Sequence, residues 1–292
     1  MRYVVITPAR NEADNLGRLA RCLREQTLLP ARWMIVDDGS TDGTLSLAHE
    51  FASAHDWITA LTSPGARDEP LARGRTGGRD VVAFNAGLAA LDFTPDVAVK
   101  VDADISFDSS YFELLLAEFA SDPTLGIASG LCYERDNEEW KPRHVTAVHV
   151  RGASRAYRWA CLEEILPLEE RLGWDGIDEI KANVRGWTTR VVPSLAFRHH
   201  RRMGERDGSL GAWRAQGETS HYMGYRFIYL VLRALHYARR DPAALAMIAG
   251  YVLAAVTRQA RYDDPAVRLY LRRYQSLRNL LHRRREALGL PS

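Results

Sequence analysis

Apolar residues along this chain come in short runs whose period switches between that of a strand and that of a helix. Tyr3-Val4-Val5-Ile6-Thr7, Trp33-Met34-Ile35-Val36, Ile58 to Leu61, Asp96 to Val101 and Gly126 to Leu131 are strand-like, several of them apolar on both faces. Between them Leu16, Leu19, Ala20 and Leu23, then Leu45, Leu47, Ala48 and Phe51, then Val81, Val82, Asn85 and Leu88 recur at helical spacing. Tyr111 to Phe119 adds a further helix, and Thr41 or Asp42 is placed to cap the second one. Strands alternating with helices predict an α/β fold with a mostly parallel, Rossmann-like central sheet covered by helices on both faces. Ser63 to Gly78, rich in Arg with Pro and Gly, has no period and predicts a mobile loop.

After Tyr133 the alternation breaks. An aromatic helix is expected around Tyr157 and Trp159, another helix over Asp178 to Arg185, and a strand over Thr188 to Val192. From Trp213 onward every segment reads as helix rich in Tyr, Leu and Arg. The expected division is an α/β domain over residues 1–205 and a helical, Arg-rich extension over 206–292. The longest apolar stretch, Ala243 to Val256, is too short to span a bilayer.

Composition narrows the picture only a little. A net charge of +2 argues against a nucleic-acid partner. Cys22, Cys132 and Cys161 are far apart and odd in number, which fits a reducing compartment rather than a disulfide framework. The first apolar run is a short strand, so no secretory leader is expected and the protein is expected to be cytoplasmic. Arg258, Arg261, Arg268, Arg272, Arg273 and Arg283–Arg285 alternate with Leu, Val and Tyr. Such a surface could rest peripherally on the inner face of an anionic membrane; the solvated face of a packing helix would give the same pattern.

The chemistry sits where the strands stop. Pro8-Ala9-Arg10-Asn11-Glu12 follows the first strand in place of a Gly-rich turn, which excludes a dinucleotide fingerprint and a P-loop. The second strand ends at Asp37-Asp38-Gly39-Ser40, and the fourth at Asp102-Ala103-Asp104. In a parallel sheet that edge binds ligands. Asp37 or Asp38 could accept hydrogen bonds from a base or ribose. In an extended chain Asp102 and Asp104 would share a side and could hold Mg²⁺ or Mn²⁺ against a diphosphate. His199 and His200 follow the last predicted strand, where an imidazole could complete the metal shell and favour Mn²⁺. Trp174-Asp175-Gly176-Ile177-Asp178-Glu179 is a third acidic cluster just ahead of a helix, suited either to capping it or to acting as a general base.

Thr7-Pro8-Ala9-Arg10-Asn11-Glu12, Val36-Asp37-Asp38-Gly39-Ser40-Thr41-Asp42, Asn85-Ala86-Gly87 and Asp102-Ala103-Asp104 together resemble glycosyltransferase family 2, the inverting, nucleotide-sugar-dependent group with the GT-A fold. The resemblance runs over roughly residues 1–200. It implies that Thr7, Pro8, Arg10, Glu12, Asp37, Asp38, Arg79, Asn85 and Asp102 line a nucleotide-sugar pocket, with UDP the favoured nucleotide. It also implies a cation on Asp104 with Asp102, a glycan or lipid-linked acceptor, and a role in surface polysaccharide or glycolipid assembly. The family's base motif, measured back from Gly186-Trp187, lands on Asp175, with Asp178 and Glu179 as alternatives. Gln275-Ser276-Leu277-Arg278 is followed by Asn279 rather than Trp, so a processive synthase is not expected. The rival readings are a sugar nucleotidyltransferase and a non-catalytic, membrane-associated nucleotide-sugar-binding protein. A lid of Trp140, Arg151–Ser154 and His199–Met203 is expected over the acceptor side.

Overall fold

The computed structural model describes residues 1–65, 78–136, 139–143, 149–201, 209–276 and 279. The predicted loop segment 66–77, Arg202 and Met203 of the expected lid, Leu277 and Arg278 of the processive motif, and Arg283–Arg285 lie outside them. The chain divides into two compact units, Met1–Arg201 and Arg202–Ser292.

The first unit is built on one nine-stranded sheet. In chain order its strands are β1 (Tyr3–Ala9), β2 (Arg32–Asp37), β3 (Ile58–Thr62), β4 (Val97–Val101), β5 (Ile105–Phe107), β6 (Leu125–Asp136), β7 (Glu139–Pro142), β8 (Ser154–Arg158) and β9 (Thr188–His199). They lie in the order β3-β2-β1-β4-β8-β6-β9-β5, with β7 on β6. The first four are parallel, as their apolar runs predict. Beyond β4 the sheet is mixed, because β8 runs antiparallel to both β4 and β6. β1 continues through Pro8 to Ala9, two residues past the expected strand. Its pairing with β4 ends at Ile6, and that is the side a Pro8 N–H would have faced, so the proline removes no ladder bond.

Side-chain alternation divides the core into two layers. Tyr3, Val5, Trp33 and Ile35 pack with Leu16 and Leu19 of α1 (Ala13–Arg24), Ala48 of α2 (Thr44–Ala54) and Phe112 and Leu115 of α4 (Tyr111–Ser121). Val4, Ile6, Met34 and Val36 pack with Phe84 of α3 (Arg79–Ala89), Leu162 and Ile165 of α5 (Trp159–Ile165) and Trp174 of α6 (Trp174–Val184). Gly87 in α3 has a packing reason: a Cβ there would lie 2.5 Å from Ile6 Cγ2.

Two expectations are corrected here. Tyr157 belongs to a strand, β8, and only from Trp159 does the chain turn helical. The strand was hidden because its period-2 pattern includes Arg155, fully buried on an inward face where an apolar residue would be expected. α6 begins at Trp174, a turn before the expected Asp178, which puts Asp175 in its first turn.

The second unit is helical: α7 (Ser209–Tyr222), α8 (Phe227–Ala238), a 3₁₀ turn (Pro242–Leu245), α9 (Ala246–Val256) and α10 (Pro265–Tyr274). Its core is Leu230, Ala234, Met247 and Tyr251. Among the described residues no helix is long and apolar enough to cross a membrane.

Candidate active site

In the strand order β2-β1-β4, the chain leaves β1 in one direction and returns on its other side, so the loops after these strands flank a topological switch point. Asp37-Asp38 and Asp102-Ala103-Asp104 sit on the loops after β2 and β4, and Glu12 on the loop after β1. Asp37 turns its carboxylate back to accept from the N–H groups of Gly39 (3.1 Å) and Ser40 (3.2 Å), which folds the loop rather than presenting a free acid. Asp38 faces two cations. Arg79, the first residue of α3, grips it through Nε at 3.2 Å and through a second contact from Nη2, and Arg10 Nη1 is 3.7 Å away. Glu12 accepts both arms of Arg201, at 2.7 and 2.8 Å.

Asp102-Ala103-Asp104 is a turn between β4 and β5, not the extended segment expected from alternation. The two carboxylates converge all the same, and one oxygen of each lies with a His199 nitrogen inside a group whose atoms are all within 4.8 Å of one another. His199 Nε2 is 3.3 Å from Asp104 Oδ1, and Arg201 Nη1 is 3.5 Å from Asp104 Oδ2. Burial alone would lower the His199 pKa; the Asp104 carboxylate reverses that and pushes it up to about 9. Two carboxylates and one imidazole are a donor set that fits Mn²⁺ or Mg²⁺, the imidazole leaning toward Mn²⁺. His200 faces elsewhere. Its Nε2 meets Ser106 Oγ at 2.8 Å, and its ring packs edge-on against Trp140. Burial holds its pKa down, near 4. β9 ends at His199 and the chain bends at His200, so of the two histidines His199 alone joins the acidic group.

Lys100, the next-to-last residue of β4 and 1% exposed, is a buried ammonium within an otherwise apolar run. Its Nζ is 2.5 Å from Asp102 and 3.4 Å from Asp80, and it lies over the Trp174 ring at 5.4 Å. A buried ammonium demands such partners, and that demand was the one available signal.

The third acidic cluster separates by burial. Gly173 is the N-cap of α6 with no side-chain cap bond, and Asp175 stands in the first turn, where the helix N-terminus favours a carboxylate. The Asp175 carboxylate is half-buried and has no hydrogen bond or ion pair among the described residues. Asp178 and Glu179 are buried around Arg155. The guanidinium donates to both oxygens of Asp178, to Glu179 Oε1 at 3.2 Å and to the Asp175 carbonyl at 2.9 Å. Tyr157 Oη donates to Asp178 at 2.5 Å. Val150 N–H and His149 Nδ1 meet Glu179 at 2.6 and 2.9 Å. Burial pushes the Asp178 carboxyl up, to about 7.

Other predicted residues are placed as follows. Thr7 has its hydroxyl inside the core, accepting from Trp33 Nε1 at 3.0 Å, so its side chain lines no pocket. Pro8 is half-buried at the end of β1. Asn85 Nδ2 lies 3.5 Å from Glu170, while its Oδ1 is buried with no partner among the described residues.

The Rossmann-like sheet gathers carboxylates, arginines and a group able to hold a cation at its switch point, the edge where such sheets bind ligands. Residues 4–174 match the family model for Glycosyl transferase family 2, and the chain belongs to that family. A segment of 116 residues is 28% identical to the succinoglycan biosynthesis protein ExoA of Rhizobium meliloti (strain 1021), covering 39% of this chain and 32% of that protein. The match thus spans under a third of that curated relative's length. Among solved structures, the mannosyltransferase PcManGT from Pyrobaculum calidifontis in complex with GDP-Man and Mn²⁺ is similar with a TM-score of 0.57 at 20% identity, covering 92% of this chain and 78% of that one. S. aureus TarS 1-349 in complex with UDP-GlcNAc is similar with a TM-score of 0.55 at 17% identity, covering 98% and 82%. These likenesses carry the GT-A fold.

Proposed function

We propose that the protein transfers a sugar from a nucleotide-diphosphate sugar to an acceptor hydroxyl with inversion at the sugar carbon, assisted by a divalent cation. The observation that carries this is the convergence of Asp102, Asp104 and His199 at the switch point, beside the Asp38–Arg79 pair. Asp38 and Arg79 would hold the nucleoside end of the donor, and Arg10 its charge. Asp102, Asp104 and His199 would hold Mn²⁺ or Mg²⁺. When bound, such an ion supplies positive charge to a departing diphosphate. Mn²⁺ in the PcManGT complex supports the choice of metal; GDP-Man and UDP-GlcNAc in the neighbours support the donor class, with UDP preferred here as the family's commoner nucleotide.

Asp175 is our choice of base. It stands in the first turn of α6, half-exposed, while Asp178 and Glu179 are held by Arg155 and cannot turn outward without leaving that guanidinium unpaired. Trp174 links it to the cation group by lying over Lys100, which pairs with Asp102. An inverting displacement needs a carboxylate that takes the acceptor proton as the bond forms. The acceptor is proposed to be a glycan or lipid-linked hydroxyl. Exposed Ile228, Leu232 and Leu235 on one stripe of α8, with arginines at its ends, support peripheral contact with an anionic membrane.

The deciding experiment measures sugar transfer and donor hydrolysis over a panel of UDP- and GDP-sugars with Mn²⁺, comparing wild type with Asp104→Ala. Loss of turnover in the variant and on chelation is expected. Turnover indifferent to both would overturn the metal-assisted reading.

A further inference from the structure

β6 and β9 pair in parallel, with Glu134 opposite His199. Cys132 and Glu134, two apart on β6, share a face of the sheet and meet the imidazole from the side away from Asp104. All three are buried, and a set of their ligand atoms lies within 4.8 Å of one another. The two ring nitrogens of His199 therefore serve different neighbours. Nε2 faces Asp104, whereas Nδ1 is buried, 4.0 Å from Glu134 Oε1, and the Cys132 side chain is close enough to interact with the imidazole.

We propose that Cys132, Glu134 and His199 Nδ1 form a second cation site, one for a thiophilic divalent ion such as Zn²⁺. Thiolate, imidazole and carboxylate are the donors that Zn²⁺ prefers, and the sulfur excludes Mg²⁺. Tetrahedral bonds of about 2.0 to 2.3 Å place ligand atoms roughly 3.5 Å apart, so the group must close only slightly. Arg151 Nη1 donates to Cys132 Sγ at 3.0 Å and to Glu134 Oε1 at 2.8 Å, and Arg143 Nε to Glu134 Oε2 at 2.7 Å. A carboxylate oxygen accepting one such bond keeps a second lone pair for a metal. The incoming cation replaces the protons on Sγ and Nδ1, which pass to solvent. The proton left on the ring is then on Nε2, where it donates to Asp104, a carboxylate–histidine–metal relay.

One neutral imidazole cannot ligate through both nitrogens. A thiophilic ion on Nδ1 thus withdraws His199 from the Asp102–Asp104 group and would brake a reaction that needs a cation there. That consequence rests on the proposed function; the site itself does not.

The test is titration of the metal-free protein with Co²⁺ alone, followed by thiolate-to-cobalt charge-transfer absorption in the near ultraviolet. The absorption is expected in wild type and in a Cys22→Ser, Cys161→Ser double variant, lost in Cys132→Ser, and displaced by Zn²⁺ but not by Mg²⁺. Circular dichroism checks that each variant is folded. No absorption in wild type, or its persistence in Cys132→Ser, overturns the site. Because Asp102, Asp104 and His199 contain no sulfur, that failure leaves the transferase reading untouched, while loss of transferase activity alone cannot mimic success. Should Cys132→Ser not fold, Glu134→Gln serves, with weakened Co²⁺ binding expected and unchanged binding overturning the proposal.

Discussion

Asp175 and Asp178 are three residues apart, and their surroundings assign them opposite fates. Asp175→Asn should leave the fold intact and lower turnover by roughly 10² to 10⁴, the usual worth of a general base, with the donor KM little changed. Asp178→Asn should instead destabilise the fold by about 3 kcal/mol or more, measured by denaturant unfolding, because it leaves Arg155 with a broken buried pair. An unimpaired Asp175→Asn enzyme would remove the base assignment. Nearby, His149 offers a titration test. Burial opposes its charge, but Glu179 at 2.9 Å prevails and its pKa lies above the ordinary 6.5. A histidine raised on folding stabilises the native state fully below its unfolded value and stops doing so once pH passes the folded one. The melting temperature of wild type should therefore exceed that of His149→Gln most below pH 6.5, with the gap narrowing as pH rises. A constant gap would contradict this. At this scale residue types and spacing identified Asp38, Asp102, Asp104, Asp175 and His199 as candidates. They could not separate Asp178 from Asp175 or His200 from His199, since a side chain's direction is set by partners distant in sequence.

The elements were most legible where one periodicity ruled. β1 to β4 and the helices between them were readable because each buried an unbroken apolar face. β8 was not, since Arg155 breaks its pattern and finds its partners in α6, some twenty residues later. The packing of α3 on β1 yields a direct prediction. Gly87→Ala would drive a methyl against the branched Ile6 side chain and should cost about 1 to 3 kcal/mol by thermal or denaturant unfolding. The paired change Gly87→Ala with Ile6→Val should not recover it, because the offending Cγ2 is retained in valine.

At the scale of the whole molecule, α/β architecture followed by helices was legible, while the mixed half of the sheet was not, its short antiparallel strands β5, β7 and β8 being too polar or too brief to announce themselves. The arrangement around Arg201 has its own meaning for the protein without metal. Its guanidinium bridges Glu12 and Asp104, joining the loop after β1 to the loop after β4 with a cation that belongs to the chain. The acidic group thereby carries a built-in counterion, and a metal arriving at the proposed site would exchange places with an existing charge instead of rescuing an unbalanced one. Chelation should accordingly abolish turnover while moving the melting temperature by little, and Arg201→Gln should make that temperature strongly dependent on divalent ions. Metal loss would then act as an off-switch that spares the fold, allowing the same molecule to be reloaded rather than rebuilt.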